Sequence, residues 1–559
     1  MMQYHKFKNM KRKIKIILVG ISIFIGALIS VSFTDNYFEI SKNLDIFTSL
    51  YKELNTYYVD ETDPGKLMKK GIDAMLKSLD PYTTYIPESE IEDFRFMTTG
   101  QYGGIGAIIT KRGDYVYINE PYEGFPAQKS GLMAGDKILE INGVSAKGKT
   151  TEDVSKILKG QPNTSVTMLI ERKNLDNPFE VTFNREKVTV KSIPYTGFIE
   201  DGIGYIKLRS FTRNCGNEIK EALVNLKSQQ KLEGLVLDLR GNPGGLLNEA
   251  VNISNIFIDK GAEIVSTKGK IKEWEKVYKA TNKAEDMETP LVILISQSSA
   301  SASEIVAGVM QDLDRGVIIG KKSFGKGLVQ QSRKLSYNTQ LKVTIAKYYI
   351  PSGRCIQALD YSNRNDDGSV GEVPDSLKTA FRTKNGRTVY DGGGIEPDIN
   401  VEQETMSSII ISLIRKRFIF DYATEYRLSN DSIGEAIDFL FSDKDFEDFE
   451  RYLSDKEYEY TTQTEEKIRE LKRVAEEELY YTEISDEYDE LIMKLEENKK
   501  DDLNKFKDDI KAIIASEIVS RYYYQKGRII VNLKNDNDIK AAIDILKNNN
   551  KYNSILNDI

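Results

Sequence analysis

The chain has 559 residues, long enough for several domains, and its 40% hydrophobic content supports a sizeable core. With 78 lysines and arginines against 86 aspartates and glutamates the formal net charge is −8 and no large basic domain stands out, so nucleic acid is a poor partner. One histidine, His5, in a basic leader, leaves no Ser-His-Asp triad; Cys215 and Cys355 alone make no zinc cluster and no disulfide framework beyond a single bridge. A hydrolase of this composition has to take its base from Lys, Asp, Glu or Tyr.

Lys6, Lys8, Lys11, Arg12, Lys13 and Lys15 precede residues 16–33, which are uncharged and mostly apolar. A bilayer core takes about 20 apolar residues and a signal-peptide core ~7–15, so the length favours an uncleaved membrane anchor, with Ser30-Val31-Ser32 as the competing cleavage site. The basic cluster puts the rest of the chain on the far side of the membrane. Further on, Leu44, Ile46, Phe47, Leu50, Tyr51 and Leu54 recur at near-helical spacing, which predicts core packing. A second helix over 66–79 stops at Asp80-Pro81.

Residues 97–187 read as short strands with turns. Gly103-Gly104-Ile105-Gly106-Ala107, the run PAQKSGL from Pro126 and the run GDKILEING from Gly135 together resemble a PDZ domain. A glycine-rich loop before a strand presents backbone N–H groups to a carboxylate, while the strand edge pairs with an extended peptide. The resemblance implies that Gly104, Ile105, Gly106 and Ala107 receive a substrate C-terminus, with Ala107 standing where Phe is usual.

Strands over 204–211 and 234–239 flank a helix around 218–226, which indicates an α/β layer, and Arg240-Gly241-Asn242-Pro243-Gly244-Gly245 follows the second strand. Leu291–Ile295 is a short buried strand. Ser301-Ala302-Ser303-Glu304 then fits the capping box, so Ser301 opens a helix. A serine there is usually only a cap, but free N–H groups and the helix dipole also favour an alkoxide or an oxyanion beside it. A further apolar run, Val317 to Ile319, leads to Gly320 and Phe324-Gly325-Lys326-Gly327. This is a near match to a phosphate-binding loop, but Gly327 stands where Ser or Thr would ligand magnesium, which argues against a nucleotide. Serine with lysine is a known activated pair, the lysine kept neutral by burial.

SASASEI, QDLDRGVIIG, SFGKGLVQ, YYIPSGR and GGGIEPD, in this order, resemble the carboxyl-terminal processing peptidases, serine proteases of the tail-specific S41 type. Taken residue by residue, the resemblance implies Ser301 as nucleophile, Lys326 as base 25 residues later, and Gln330 orienting the lysine. The loop from Arg240 is similar to the family's DLRxNxGG motif, which implies an oxyanion hole from the N–H of Ala302 and that of Gly244 or Gly245. The implied fold is α/β (α+β): a crotonase/Clp-protease-like core, an inserted β-rich PDZ domain and a helical C-terminal region.

The expected division is leader and anchor 1–35, helical segment 36–96, PDZ domain 97–187, peptidase core 188–403 with a polar insertion over 358–391, and a helical accessory domain 404–559 for oligomerisation or adaptor binding. The expected activity is endoproteolysis of proteins with free apolar C-terminal tails. No cofactor and no metal is implied, and the expected place is the bacterial cell envelope, anchored in the inner membrane with the catalytic part outside the cytoplasm. A membrane-anchored PDZ scaffold with a latent or inactive protease core is the competing reading.

Overall fold

The computed structural model describes residues 37–364, 369–402 and 405–557. The leader, the anchor and His5 lie outside the described residues, as do four residues of the polar insertion. No helix among the described residues is long and apolar enough to cross a membrane. The chain divides into two compact units, 1–85 and 86–559.

The first unit contains a helix over 37–57 and the helix Pro64–Lys77, which starts at a proline and is capped by Asp63, whose carboxylate accepts from Lys66 N–H at 3.0 Å. The expected core packing of its first helix is not found: Leu44, Ile46, Phe47 and Leu50 are all exposed. Helical spacing marks an apolar face but does not supply the surface that would cover it.

In the second unit, residues 107–184 form an antiparallel sheet in which β1 (Ala107–Arg112), β2 (Tyr115–Pro121), β3 (Lys137–Ile141), β4 (Ser165–Glu171) and β5 (Phe179–Asn184) pair in that order. Helix α1 (Thr151–Leu158) has a full capping box from Thr150 and Asp153 and buries Val154 and Leu158 among Val116, Ile118, Ile138, Val166, Met168 and Ile170. The alternation of buried and open positions along β2 and β4 is the pattern of a sheet with one covered face.

The next sheet carries the chemistry. Its strands are β6 (Tyr195–Glu200), β7 (Ile203–Lys207), β8 (Gly234–Asp238), β10 (Leu291–Ile295), β11 (Val317–Gly320) and β14 (Ile399–Asn400), in that order, parallel from β7 onward. Between them in sequence, β9 (Glu263–Gly269), β12 (Leu328–Lys334) and β13 (Gln340–Tyr349) belong to a second, antiparallel sheet, with β13 paired to both others. A parallel sheet is buried on both faces, which is why β8, β10 and β11 are unbroken apolar runs apart from their ends. On one face Ile206, Leu235, Leu237, Leu291, Ile293 and Ile318 pack under α2 (Cys215–Gln229), α3 (Leu247–Phe257) and α4 (Ala302–Asp312).

On the other face Tyr205, Val236, Val292, Leu294, Val317 and Ile319 are covered by the last two long elements of the C-terminal region, α7 (Asn537–Lys547) and α8 (Asn549–Asn557). Ile539, Ala542, Ile545 and Leu546 supply the apolar face of α7, and the Tyr552 hydroxyl of α8 accepts from Leu291 N–H at 3.0 Å. The last two helices beyond residue 404 thus share a core with this sheet. The rest of the C-terminal region has its own core, in which α5 (Phe418–Ser429) and the first half of α6 (Lys507–Leu533) meet around Tyr422, Phe446, Phe449, Ile510, Ile514 and Ile518. Arg112 to Asp421 and Arg528 to Glu120, both at 2.7 Å, tie these helices to the β1–β5 sheet.

Truncating Ile545, 1% exposed, to Ala is expected to cost the catalytic core about 2–5 kcal/mol. The chain's one tryptophan, Trp274, half-buried just after β9, reports unfolding in a denaturant titration; an unchanged Trp274 midpoint would mean that α7 folds independently of the sheet.

Candidate active site

The loops that follow β8, β10 and β11 lie at the carboxyl ends of adjacent parallel strands, where an open α/β sheet places its ligands. After β10 the chain turns sharply into α4, and Ser301 takes the turn at φ 57°, ψ −112°. That is a backbone region that side chains disfavour, held here by the surrounding structure. The C=O of Ser301 accepts from Ile305 N–H at 2.9 Å and from the buried Tyr348 hydroxyl at 3.2 Å. Its N–H donates to the Glu304 carboxylate at 2.7 Å, one half of the expected capping box.

The loop after β8 is stapled to this turn. Asn242, fully buried, donates from Nδ2 to Leu208 O, and its C=O accepts from Ala300 N–H at 3.0 Å and from the Ser303 hydroxyl at 2.9 Å. Ser299 Oγ donates to Leu239 O, and Gly241 N–H donates to Ser296 Oγ. Gly244, at φ 96°, passes so close that a Cβ on it would lie 2.6 Å from Ala300 O and 2.9 Å from Ser301 Cβ. Only glycine fits there.

The two candidate oxyanion glycines differ in what their N–H groups do. That of Gly244 donates to Asn242 Oδ1 at 2.9 Å. Gly245 is exposed, and its N–H, like that of Ala302 at the first position of α4, meets no acceptor among the described residues. Asn242 makes the difference, and sequence spacing contains no sign of it.

The lysine loop after β11 is held by Glu304, a fully buried carboxylate at the first turn of α4. Besides Ser301 N–H, it accepts from Ser323 Oγ at 2.6 Å, Gly325 N–H at 2.7 Å and Lys326 N–H at 2.9 Å. Burial pushes its carboxyl up, and the four donors offset that only in part. Ser323 Oγ in turn accepts from Ile395 N–H, which brings in the GGGIEPD segment. Sequence reading found Glu304 as a helix cap and missed that one carboxylate grips both loops.

Ser301, Ala302, Gly244, Gly245, Lys326, Gln330 and Tyr348 line one cleft of about 690 Å³, whose walls include Phe96, Met97, Leu246, Leu247, Ile305 and Leu328. Gln330, expected to orient Lys326, donates from Nε2 to Thr344 Oγ1 at 3.3 Å. Tyr122 and Arg209 also line the cleft, and Tyr122 N–H donates to Gly106 O at 2.8 Å, so one residue of the cleft wall is bonded to the glycine loop of the β1–β5 domain. In that loop Ile105 is buried and Gly106 is at φ 73°. The Tyr102 ring packs over Gly104 in the same loop. Burial pushes the Tyr102 phenol up.

Three family profiles match: peptidase family S41 over residues 202–362, a PDZ domain over 117–172, and a probable PDZ-protease C-terminal helical domain over 409–546. A carboxy-terminal-processing protease of Bartonella bacilliformis is 37% identical over 354 residues, 62% of this chain and 80% of that protein. A probable CtpA-like serine protease of Staphylococcus aureus is 38% identical over 317 residues, 56% of this chain and 62% of that protein. Among solved structures, the photosystem II D1 C-terminal processing protease is 27% identical, covering 65% of this chain and 93% of its own, at a TM-score of 0.35.

The Ser301 backbone gives a direct test. At an unstrained position alanine is the more stable residue, whereas here Ser301→Gly is expected to be more stable than Ser301→Ala by about 1 kcal/mol, because both lose the hydroxyl but only alanine keeps the strained Cβ. Paired thermal or urea unfolding measures the difference, and alanine as the more stable variant would contradict it.

Proposed function

The chain belongs to the S41 peptidases of the carboxy-terminal-processing type, serine peptidases, here with a PDZ domain, and on that premise we propose that it cleaves proteins chosen by their free C-terminal tails through a Ser301–Lys326 dyad. The observation that carries this reading is Glu304, whose carboxylate binds the backbone of the serine turn and the backbone of the lysine loop at once, with both side chains on one cleft. Neutral Lys326 takes the proton from Ser301 as its oxygen attacks the scissile carbonyl, and the resulting ammonium gives the proton to the leaving amine. Water then releases the acyl group from Ser301 by the same proton path. Gln330, on the same cleft, is assigned to hold the lysine in reach.

The negative oxygen of the tetrahedral intermediate is assigned to the N–H groups of Ala302 and Gly245, the pair without an internal acceptor, rather than Gly244. Each such donor is worth about 3–4 kcal/mol of transition-state stabilisation. The tail carboxylate is assigned to the loop Gly104–Ala107, and its tethering raises the local concentration of the cleavage site. Apolar walls at Leu246, Leu247 and Ile305 suit apolar side chains at the cut. The basic leader and apolar run argue for an envelope location, with substrates outside the cytoplasm.

Degradation of an unfolded protein ending in a short apolar tail tests this. Ser301→Ala and Lys326→Ala are each expected to lower kcat on the order of 10³-fold or more, and amidating the tail to raise KM with little change in kcat. Equal cleavage by Ser301→Ala and wild type would remove the dyad; indifference to amidation would remove the tail reading.

A further inference from the structure

The C-terminal helix α7 reaches the loop assigned to the oxyanion. Arg240, the first residue after Leu239 at the end of β8, has every polar group engaged. Its Nη1 pairs with Asp536 at 2.7 Å and Asp538 at 2.8 Å, its Nη2 with Asp238 at 2.8 Å, and its Nε with Asp238 at 3.1 Å. Its N–H donates to Asp238 at 2.9 Å, and its C=O accepts from Lys207 Nζ at 2.9 Å. Lys207 and the Tyr205 hydroxyl complete the shell of Asp238 at 3.0 and 2.7 Å. Asp536 is also the N-cap of α7, accepting from the N–H groups of Asp538 and Ile539.

Such a network is a poor way to hold a helix on a sheet. Taking several charges out of water costs about as much as their pairing returns, and the apolar contacts of Ile539, Ala542, Ile545 and Leu546 already fix α7. What the network does fix is Arg240, and the segment beyond it is short: Gly241, then Asn242, which binds both the serine turn and Gly244 N–H, then Gly244 and Gly245. A displacement of about 1 Å at reacting groups costs on the order of 10²-fold in rate.

We propose that Asp536 and Asp538 are positioning residues for catalysis: through Arg240 they hold the 241–245 loop, so the C-terminal helix sets the rate of attack by Ser301 and leaves substrate choice alone. This rests on the dyad and oxyanion assignments above. The C-terminal region is then part of the enzyme's working structure, although none of its described residues lines the cleft.

The test uses the full chain with Asp538→Asn and the double variant Asp536→Asn, Asp538→Asn; asparagine keeps a good N-cap while removing the charge. An aryl fluorophosphonate labels the nucleophile, with the rate read by gel and the endpoint by intact mass, and kcat and KM are measured on the tailed substrate. The expected result is labelling and kcat slowed at least tenfold, KM within twofold of wild type, and a labelling endpoint that still reaches all of the protein. Asp538→Glu is expected to recover part of the rate. Unchanged rates would overturn the proposal, as would a lower endpoint with a normal rate in the labelled fraction, since that is the behaviour of acids that only stabilise the fold. Should the double variant not fold, Asp538→Asn alone is judged by the same two criteria. Absence of labelling in wild type as well would overturn the nucleophile assignment, and this inference with it.

Discussion

One buried carboxylate ties the site together. Glu304 sits where a helix begins, buried away from the surface, and is held by donors from the serine turn and the lysine loop. A buried carboxylate left short of donors costs several kcal/mol, so the serine turn and the lysine loop have a strong reason to stay where they satisfy it. The positions of Ser301 and Lys326 are thus fixed through their backbones. Their side chains are left facing the cleft.

The sheet supplies the rest. Three adjacent parallel strands end together, and each releases one loop: 239–246 with the glycines, 296–301 with the serine, 321–327 with the lysine. Asn242 binds the first loop to the second and Glu304 binds the second to the third. The strained backbone of Ser301 and the close pass of Gly244 are the local consequences of bringing three loops to one point.

The elements most legible in the sequence were those with a local cause. Leu291–Ile295 is a strand over the very residues that its apolar run marked, and the helix after Ser301 begins at the expected position, with the Glu304 carboxylate on Ser301 N–H. What spacing could not carry was the identity of a partner. Leu44 and Phe47 mark an apolar face that stays exposed, whereas Ile545 and Leu546 mark one that covers a sheet more than 200 residues earlier in the chain. Glu304 was visible as a cap, but its acceptance of Ser323, Gly325 and Lys326 depends on tertiary approach. The difference between the N–H groups of Gly244 and Gly245 turns on one hydrogen bond that Gly244 donates to Asn242 Oδ1, and the contact of Gln330 with Thr344 on strand pairing.

The most direct measurement is rapid quenching of a single turnover followed by intact mass spectrometry and peptide mapping. A protein substrate with a free apolar tail is expected to leave a transient adduct on Ser301 whose mass equals the acyl part of the substrate, and no adduct in Lys326→Ala. An adduct on another residue, or steady turnover with no covalent species at any quench time, would contradict the account.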